Sequence, residues 1–416
     1  MASSVRCRLL VTLAAIAGGG LVCSASALAA TPAVTAQAQA ADAAFLAYAP
    51  APAGGAGALC LVDTGVNSNP DTQPGLISAT AVDGGTGNDV DPDGHGTTMA
   101  MIAGGAGHGM TGAWPQLKIV SVRATDVPQP GQEPTFTFDS YANGISDCIK
   151  TPSYHVRAID LALSSSIPPS PDQAQAFANQ LAAAHLQNVA ILAAAGNAPG
   201  AIEEPAAEPG VLAVGAGDPN NAVCSFSATT NLTFFAPGCG LDFANAVTDQ
   251  PTCCGEGTSQ ASAFASAVLV ALMSYDPSLS YGTAESLLVS TAVDGHLDAT
   301  AAFDAAGLSG IVAAGNANIP AAAPPTAPST QSATTGATGV SVTEAHWAHG
   351  KLTLVVSALA TGDRLAVQLD YAHAKSRHVS TRTLRSVFRT AKPSLVLLRV
   401  YAAKKQIQGP IKAHVT

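Results

Sequence analysis

Val189-Ala190-Ile191-Leu192-Ala193-Ala194-Ala195-Gly196-Asn197 is an unbroken apolar run that ends on a glycine and a polar amide. A continuous rather than alternating run of this length reads as a strand buried on both faces. Residues 58–62, 117–122, 158–163 and 211–215 are runs of the same kind. Between them, 139–150 and 171–186 have helical length and composition. This alternation continues to about residue 310. It predicts an α/β fold, a parallel sheet with helices on both faces. In such sheets chemistry gathers at the carboxyl ends of the strands. Asp63 directly follows one strand run and Asn197 another.

The chain has 416 residues, 47% of them apolar and only 11% charged, enough to bury a large core in more than one domain. The formal charge of −10 is unevenly spread. From Val340 onward there are twelve Lys/Arg and three Asp/Glu, a balance of +9, while residues 1–339 carry −19. So acidic a main part argues against nucleic acid as a partner.

Arg6 and Arg8, an apolar stretch over 9–22 and Ala27-Leu28-Ala29 read as an export signal over residues 1–29, followed by an N-terminal segment over 30–54. No later stretch is long and apolar enough to span a bilayer, so the mature chain is expected to lack a transmembrane segment. With the signal removed, Cys60, Cys148, Cys224, Cys239, Cys253 and Cys254 remain. An even number in an oxidising compartment favours disulfides over free thiols, although six cysteines allow fifteen pairings. Zinc-ligand spacing is absent. A bridge at Cys253 or Cys254, just before Ser259, would stiffen the approach to that residue.

The reactive residue types stand in the order L-C-L-V-D63-T-G, D-P-D-G-H95-G-T, A-A-A-G-N197 and G-E-G-T-S259-Q-A-S. A serine hydroxyl becomes a nucleophile when a base takes its proton, and a carboxylate must hold that base in the correct tautomer. Gly96 and Gly257 allow close backbone approach. Ser259 is expected to open a helix running through 261–273, so that its N–H joins the Asn197 amide in facing an oxyanion. Each motif has a bland reading of its own: a turn, a glycine-flanked histidine or a helix cap. Asp-Thr-Gly also resembles an aspartic-protease signature, but no second copy is present.

Taken together, these segments resemble the subtilisin-like serine peptidases over roughly residues 55–308. E-P-A-A-E-P-G-V-L-A-V-G from Glu204, Ser225-Phe226-Ser227, Ala236-Pro237-Gly238 and Leu297-Asp298-Ala299 are similar to further stretches of that family. The resemblance implies a secreted serine endopeptidase acting on protein or peptide through an acyl-enzyme. Asp63 would orient His95, His95 would be general base and acid, Ser259 the nucleophile and Asn197 the oxyanion donor. Ala162, Leu163 and Ser164 would pair with substrate backbone. The chemistry requires no cofactor or catalytic metal.

Several features depart from the family. Gln260-Ala261-Ser262-Ala263 replaces the usual run after the nucleophile, Thr98 follows Gly-Thr, and Ser164-Ser165 replaces a glycine pair beside the cleft. Gly105 to Gly112 is short and lacks the Asn-containing loop that often holds calcium in the family. Asp83, Asp89, Asp91 and Asp93 could bind structural calcium, but their spacing does not match an EF-hand. A solvated acidic turn is the preferred reading, with Asp93 helping to fix the His95 loop. About 33 residues separate Ala29 from Asp63, fewer than an inhibitory propeptide occupies in many relatives. The alternative function is a catalytically weak subtilisin-like scaffold that binds at the cell surface.

The catalytic domain is expected over 55–312. Residues 313–339, with Pro320, Pro324, Pro325 and Pro328 among Ala and Thr, read as a linker. Strand-like runs at 352–356, 365–370 and 395–401 predict a small basic, β-sandwich-like, all-β domain over 340–416. Arg377, Arg382, Arg385, Arg389, Lys404 and Lys405 would let it contact anionic cell-wall polymer, or would form a solvated face. His346, His349, His373 and His378 lack the acidic or cysteine partners of a metal site. The expected location is extracellular, with cell-wall association as an option.

Overall fold

A computed structural model describes residues 38–39, 41–82, 90–126, 136–244, 246 and 251–319, together with seven strands between 342 and 413. The chain divides into two compact units, Met1–Ala322 and Ala323–Thr416. In the first, β1 (Ala58–Asp63), β2 (Leu76–Ala81), β3 (Lys118–Arg123), β4 (Val156–Leu161), β5 (Ala190–Ala194), β6 (Leu212–Gly217) and β7 (Phe234–Pro237) form one sheet. Its order is β2-β3-β1-β4-β5-β6-β7, and every neighbouring pair is parallel. The chain builds outward to β2 and β3 on one side of β1 and to β4 through β7 on the other, which places a topological switch point beside β1 and β4.

The sheet's pleat divides its apolar residues between two cores. Along β1, Leu59 and Leu61 enter one core, while Ala58, Cys60 and Val62 enter the other. The first core is covered by α1 (His95–Gly104) and α4 (Thr258–Tyr275), the second by α2 (Phe138–Ile149) and α3 (Pro171–Leu186). Helix α4 is buried along its whole length except Gln260 and Tyr275. Its alanine and serine content lets it lie close on the sheet, and a helix apolar on all sides has no solvent face to offer. Helices α2 and α3 start where Thr137 with Ser140, and Ser170 with Gln173, form capping boxes. A disulfide joins Cys60 on β1 to Cys148 on α2, stapling helix to sheet.

The strand expected over 158–163 begins earlier and stops at Leu161, which pairs with Ala193 near the end of β5. The ladder ends there, and Ala162–Ser164 continue outside any strand. After β7 come an antiparallel hairpin, β8 (Leu241–Ala244) and β9 (Pro251–Gly255), and then α5 (Tyr281–Ser290), α6 (Ala299–Ala305) and α7 (Ser309–Asn318).

Helix α7 runs into the segment read as a linker from 313. The reason is packing: Val312 and Gly315 are buried, and a Cβ at Gly315 would lie 2.4 Å from the Phe45 carbonyl. Residues 41–47 of the N-terminal segment are thereby part of the fold. Phe45 meets Phe303 edge-on at 5.0 Å, and the Ala299 N–H donates to the Ala41 carbonyl. Residues 1–29 and 320–339 lie outside the described residues. No helix among the described residues is long and apolar enough to cross a membrane.

In the second unit, Val342–Ala348, Lys351–Val356 and Arg385–Arg389 pair antiparallel in a three-stranded sheet. Arg364–Tyr371, Ala374–Thr381, Leu395–Ala402 and Lys405–Ala413 form a four-stranded one.

Candidate active site

Asp63 is the last residue of β1 and is 1% exposed. Its Oδ1 accepts from the Thr64 N–H at 2.6 Å and lies 2.8 Å from His95 Nδ1. His95 is the first residue of α1, after Gly94 at φ +99°. A Cβ at Gly96 would stand 2.1 Å from the Gly65 carbonyl and 3.0 Å from Asp63 Oδ1, so only glycine admits the approach of helix to strand end. With Nδ1–H donated to the carboxylate, Nε2 is the ring atom left to accept a proton. Burial pulls the imidazolium pKa down. The Asp63 carboxylate outweighs it, with Asp93 and Asp91 behind, and the pKa rises to about 9.

The loop before His95 is built on Asp91, which is buried rather than solvated as the sequence suggested. Its Oδ1 accepts from Thr64 Oγ1 (2.8 Å), Gly94 N (2.7 Å) and Asp93 N (3.1 Å), and its Oδ2 from Thr97 N (2.8 Å) and Thr97 Oγ1 (2.6 Å). Thr64 Oγ1 in turn accepts from the Gly96 N–H at 2.8 Å. One carboxylate thus ties the residue after Asp63 to the residue after His95. Asp93, exposed, accepts from the His95 N–H at 3.1 Å. Asp83 and Asp89 lie outside the described residues.

Ser259 stands in the first turn of α4, 7% exposed, at the positive end of that helix. Its Oγ donates to the Ala162 carbonyl at 2.5 Å, which sets it at the carboxyl end of β4, the strand beside β1. Asn197 follows β5 on an exposed turn. Its Oδ1 accepts from Thr258 N (2.9 Å) and Thr258 Oγ1 (3.0 Å), so the amide nitrogen is the group left to donate outward. The Gly257 N–H donates to the Gly238 carbonyl, and neighbouring Cys239 is bridged to Cys224. This second disulfide braces the approach to Ser259, the role expected of Cys253 or Cys254, whose side chains lie outside the description. Leu163 accepts at its carbonyl from buried Tyr141 Oη at 2.6 Å, and Ser164 Oγ donates to Glu203 Oε2 at 2.6 Å.

Residues 54–308 match the model of the subtilase family, peptidase S8. The chain belongs to the subtilase family. This subtilase is similar to the Minor extracellular protease Epr of Bacillus subtilis (strain 168), 28% identical over 225 residues that make up 53% of the chain and 32% of Epr. The match thus spans about a third of that relative's length. Among solved structures, the MycP3 protease from the type VII (ESX-3) secretion system aligns with a TM-score of 0.55 at 22% identity, covering 65% of this chain and 88% of that one. MycP1 with its N-terminal propeptide removed aligns with a TM-score of 0.55 at 21% identity, covering 65% and 96%. Both speak to the fold.

Two further carboxylates of this subtilase escaped the sequence reading. Asp160, on β4 and fully buried, accepts from Ser262 Oγ, one turn along α4 from Ser259. Burial pushes its pKa up to about 8; the Ser262 hydroxyl opposes this, and nearby Asp63 adds to it. Asp71, also fully buried, accepts from the N–H groups of His108 (2.7 Å), Gly109 (2.9 Å) and Met110 (2.8 Å). It holds the short loop over 105–112 from within. The available sequence signal was an aspartate close to small or turn residues, which many solvated turns share.

Proposed function

We propose that this subtilase is a secreted serine endopeptidase. Asp63 holds His95 with Nε2 free, and His95 takes the Ser259 proton as Oγ bonds to the scissile carbonyl carbon. The Asn197 amide and the Ser259 N–H receive the oxyanion. Collapse of this adduct breaks the C–N bond, and the His95 proton leaves with the amine. Water then attacks the acyl-enzyme, giving its proton to His95, and the acid product departs as the proton returns to Ser259. Ala162, Leu163 and Ser164 supply backbone to the bound peptide.

The observation that carries this reading is the convergence of the 2.8 Å Asp63–His95 pair, the helix-start serine and an amide oriented by Thr258 at adjacent strand ends. Two disulfides and the extracellular relative support export. Casein or peptide hydrolysis by secreted protein, abolished by Ser259→Ala, tests it. Hydrolysis that survives the substitution removes Ser259 as nucleophile.

The hydrogen bond from Ser259 Oγ to Ala162 favours a second reading, a weakly active scaffold, because the hydroxyl is not aimed at His95. Rotation about χ1 frees it, and apo enzymes commonly tighten such contacts only with substrate bound. Residues 340–416 are read as an all-β basic module that contacts anionic cell-wall polymer, a reading supported by the antiparallel pairings and the +9 balance from Val340 onward. Salt-sensitive retention of the full chain on cell envelopes is the expected result.

A further inference from the structure

A carboxylate that the acyl-transfer steps do not use sits where the chain leaves β4 and β5. These strands are neighbours, and they continue as Ala162–Ser165 on one side and Ala195–Asn197 on the other. Glu203 lies between the two walls. Its N–H donates to the Ala195 carbonyl at 2.9 Å. Its side chain rests against Gly196, at φ +110°, where a Cβ would come within 2.6 Å of Glu203 Cγ and 2.9 Å of Oε2. Ser164 Oγ fixes that oxygen from the opposite wall at 2.6 Å. One residue on, Ser165 and Glu204 exchange both backbone hydrogen bonds, at 2.8 and 2.9 Å, closing the far end.

Glu203 is half-buried, and neither ion pair found among the described residues, His95–Asp63 and Lys150–Asp147, involves it. Apart from Ser164, Ser165 and Asn197, none of which carries charge, the walls are apolar or small: Ala162, Leu163, Ala195 and Gly196. A half-buried carboxylate held in place without a cation invites one.

On the endopeptidase reading above, the scissile carbonyl sits between Ser259 Oγ and the Asn197 amide. The two walls flank that position, so the residue that owns the carbonyl is placed to direct its side chain between them. We propose that this groove selects lysine or arginine at that residue, with Glu203 as the counter-ion and Ser164 as the residue that positions it. The hydroxyl at 164, where the family usually has glycine, thereby has a physical purpose: it holds the carboxylate at the base of the groove.

The test uses chromogenic peptides that differ only at the residue preceding the cut, carrying arginine, lysine, norleucine or glutamate. Wild-type kcat/KM is expected to favour arginine and lysine over norleucine by about 10–100-fold, the range of a charge-assisted contact, with glutamate poorest. Glu203→Gln keeps an acceptor for Ser164 and removes only the charge, so the arginine-to-norleucine ratio should collapse toward one. A wild-type enzyme that cleaves norleucine as well as arginine overturns the proposal, as does a Glu203→Gln variant that keeps the preference. Ser259-dependent cleavage without cationic preference leaves the endopeptidase reading standing. Absence of any Ser259-dependent cleavage removes both.

Discussion

Replacing Asp91 by asparagine should damage both stability and catalysis, although Asp91 touches neither His95 nor Ser259 through a hydrogen bond. The carboxylate accepts five hydrogen bonds in a site 6% exposed. Asparagine has one acceptor oxygen. Its least costly orientation places that oxygen at the Oδ1 position, keeping Thr64, Asp93 and Gly94. The new NH2 group then faces the Thr97 N–H. A buried donor left unmatched costs about 1–3 kcal/mol, and the surviving bonds lose their charge assistance. The helix start also loses a favourable anion, worth about 0.3–1 kcal/mol. The expected destabilisation is about 2–4 kcal/mol. Because Thr64 links Asp91 to Gly96, the His95 ring should loosen as well, lowering kcat/KM by about 10–100-fold. Asp93→Asn is the internal control. Asp93 is exposed and, among the described residues, accepts only from the His95 N–H, so its loss should cost less than about 1 kcal/mol. Urea denaturation followed by the fluorescence of buried Trp114, with peptide hydrolysis in parallel, measures both effects. Equal and small shifts for the two variants would show that Asp91 is not the hub of the His95 loop.

With His95 as the proposed base, its raised pKa leads us to expect kcat/KM to climb with pH and level off above about 9, since a base acts only when unprotonated; a flat profile from pH 6 to 9 would contradict it. On the proposed oxyanion role, Asn197→Ala should lower kcat by about 10²–10³, the size of loss when one such donor is removed from a subtilisin, with KM little changed; steady-state kinetics reads the split. Asp160, whose folded pKa is raised to about 8, contributes stability that is full below its unfolded value of 3.8 and is lost as pH rises through about 8. Asp160→Asn should therefore raise Tm relative to wild type more at pH 9 than at pH 4, and an equal difference at both would remove that assignment. Paired Cys60→Ser and Cys148→Ser substitutions open an 88-residue loop and should cost about 4–5 kcal/mol, seen as a lower denaturation midpoint.

The sheet was legible because its strands are buried on both faces: continuous runs such as 189–194 have no other economical reading. Asp63 and Asn197 could be placed at strand ends for the same reason, and glycines flanking His95 and Ser259 announced close backbone approach. What escaped were polar contacts that depend on where distant segments meet. Asp91 reads as one of several acids in a turn, and only its enclosure by Thr64 and Thr97 makes it a hub. Asp71 and Asp160 are of the same sort. Helix α7 escaped through its composition: S-G-I-V-A-A-G-N-A-N has two glycines and little charge, and it resembles a linker until Phe45 docks on it. Glu203 stands just before the family-like stretch that begins at Glu204, and its meaning depends on Ser164, 39 residues earlier in the chain.

Whether Ser259 is an activated nucleophile is read from the site of covalent modification by a fluorophosphonate. Folded, secreted protein treated at pH 8 to 9 should carry one label, and mass spectrometry of its peptides should place it on Ser259. His95→Ala should abolish the labelling while the fold persists. A label on another residue, or undiminished labelling of Ser259 without His95, would contradict the account.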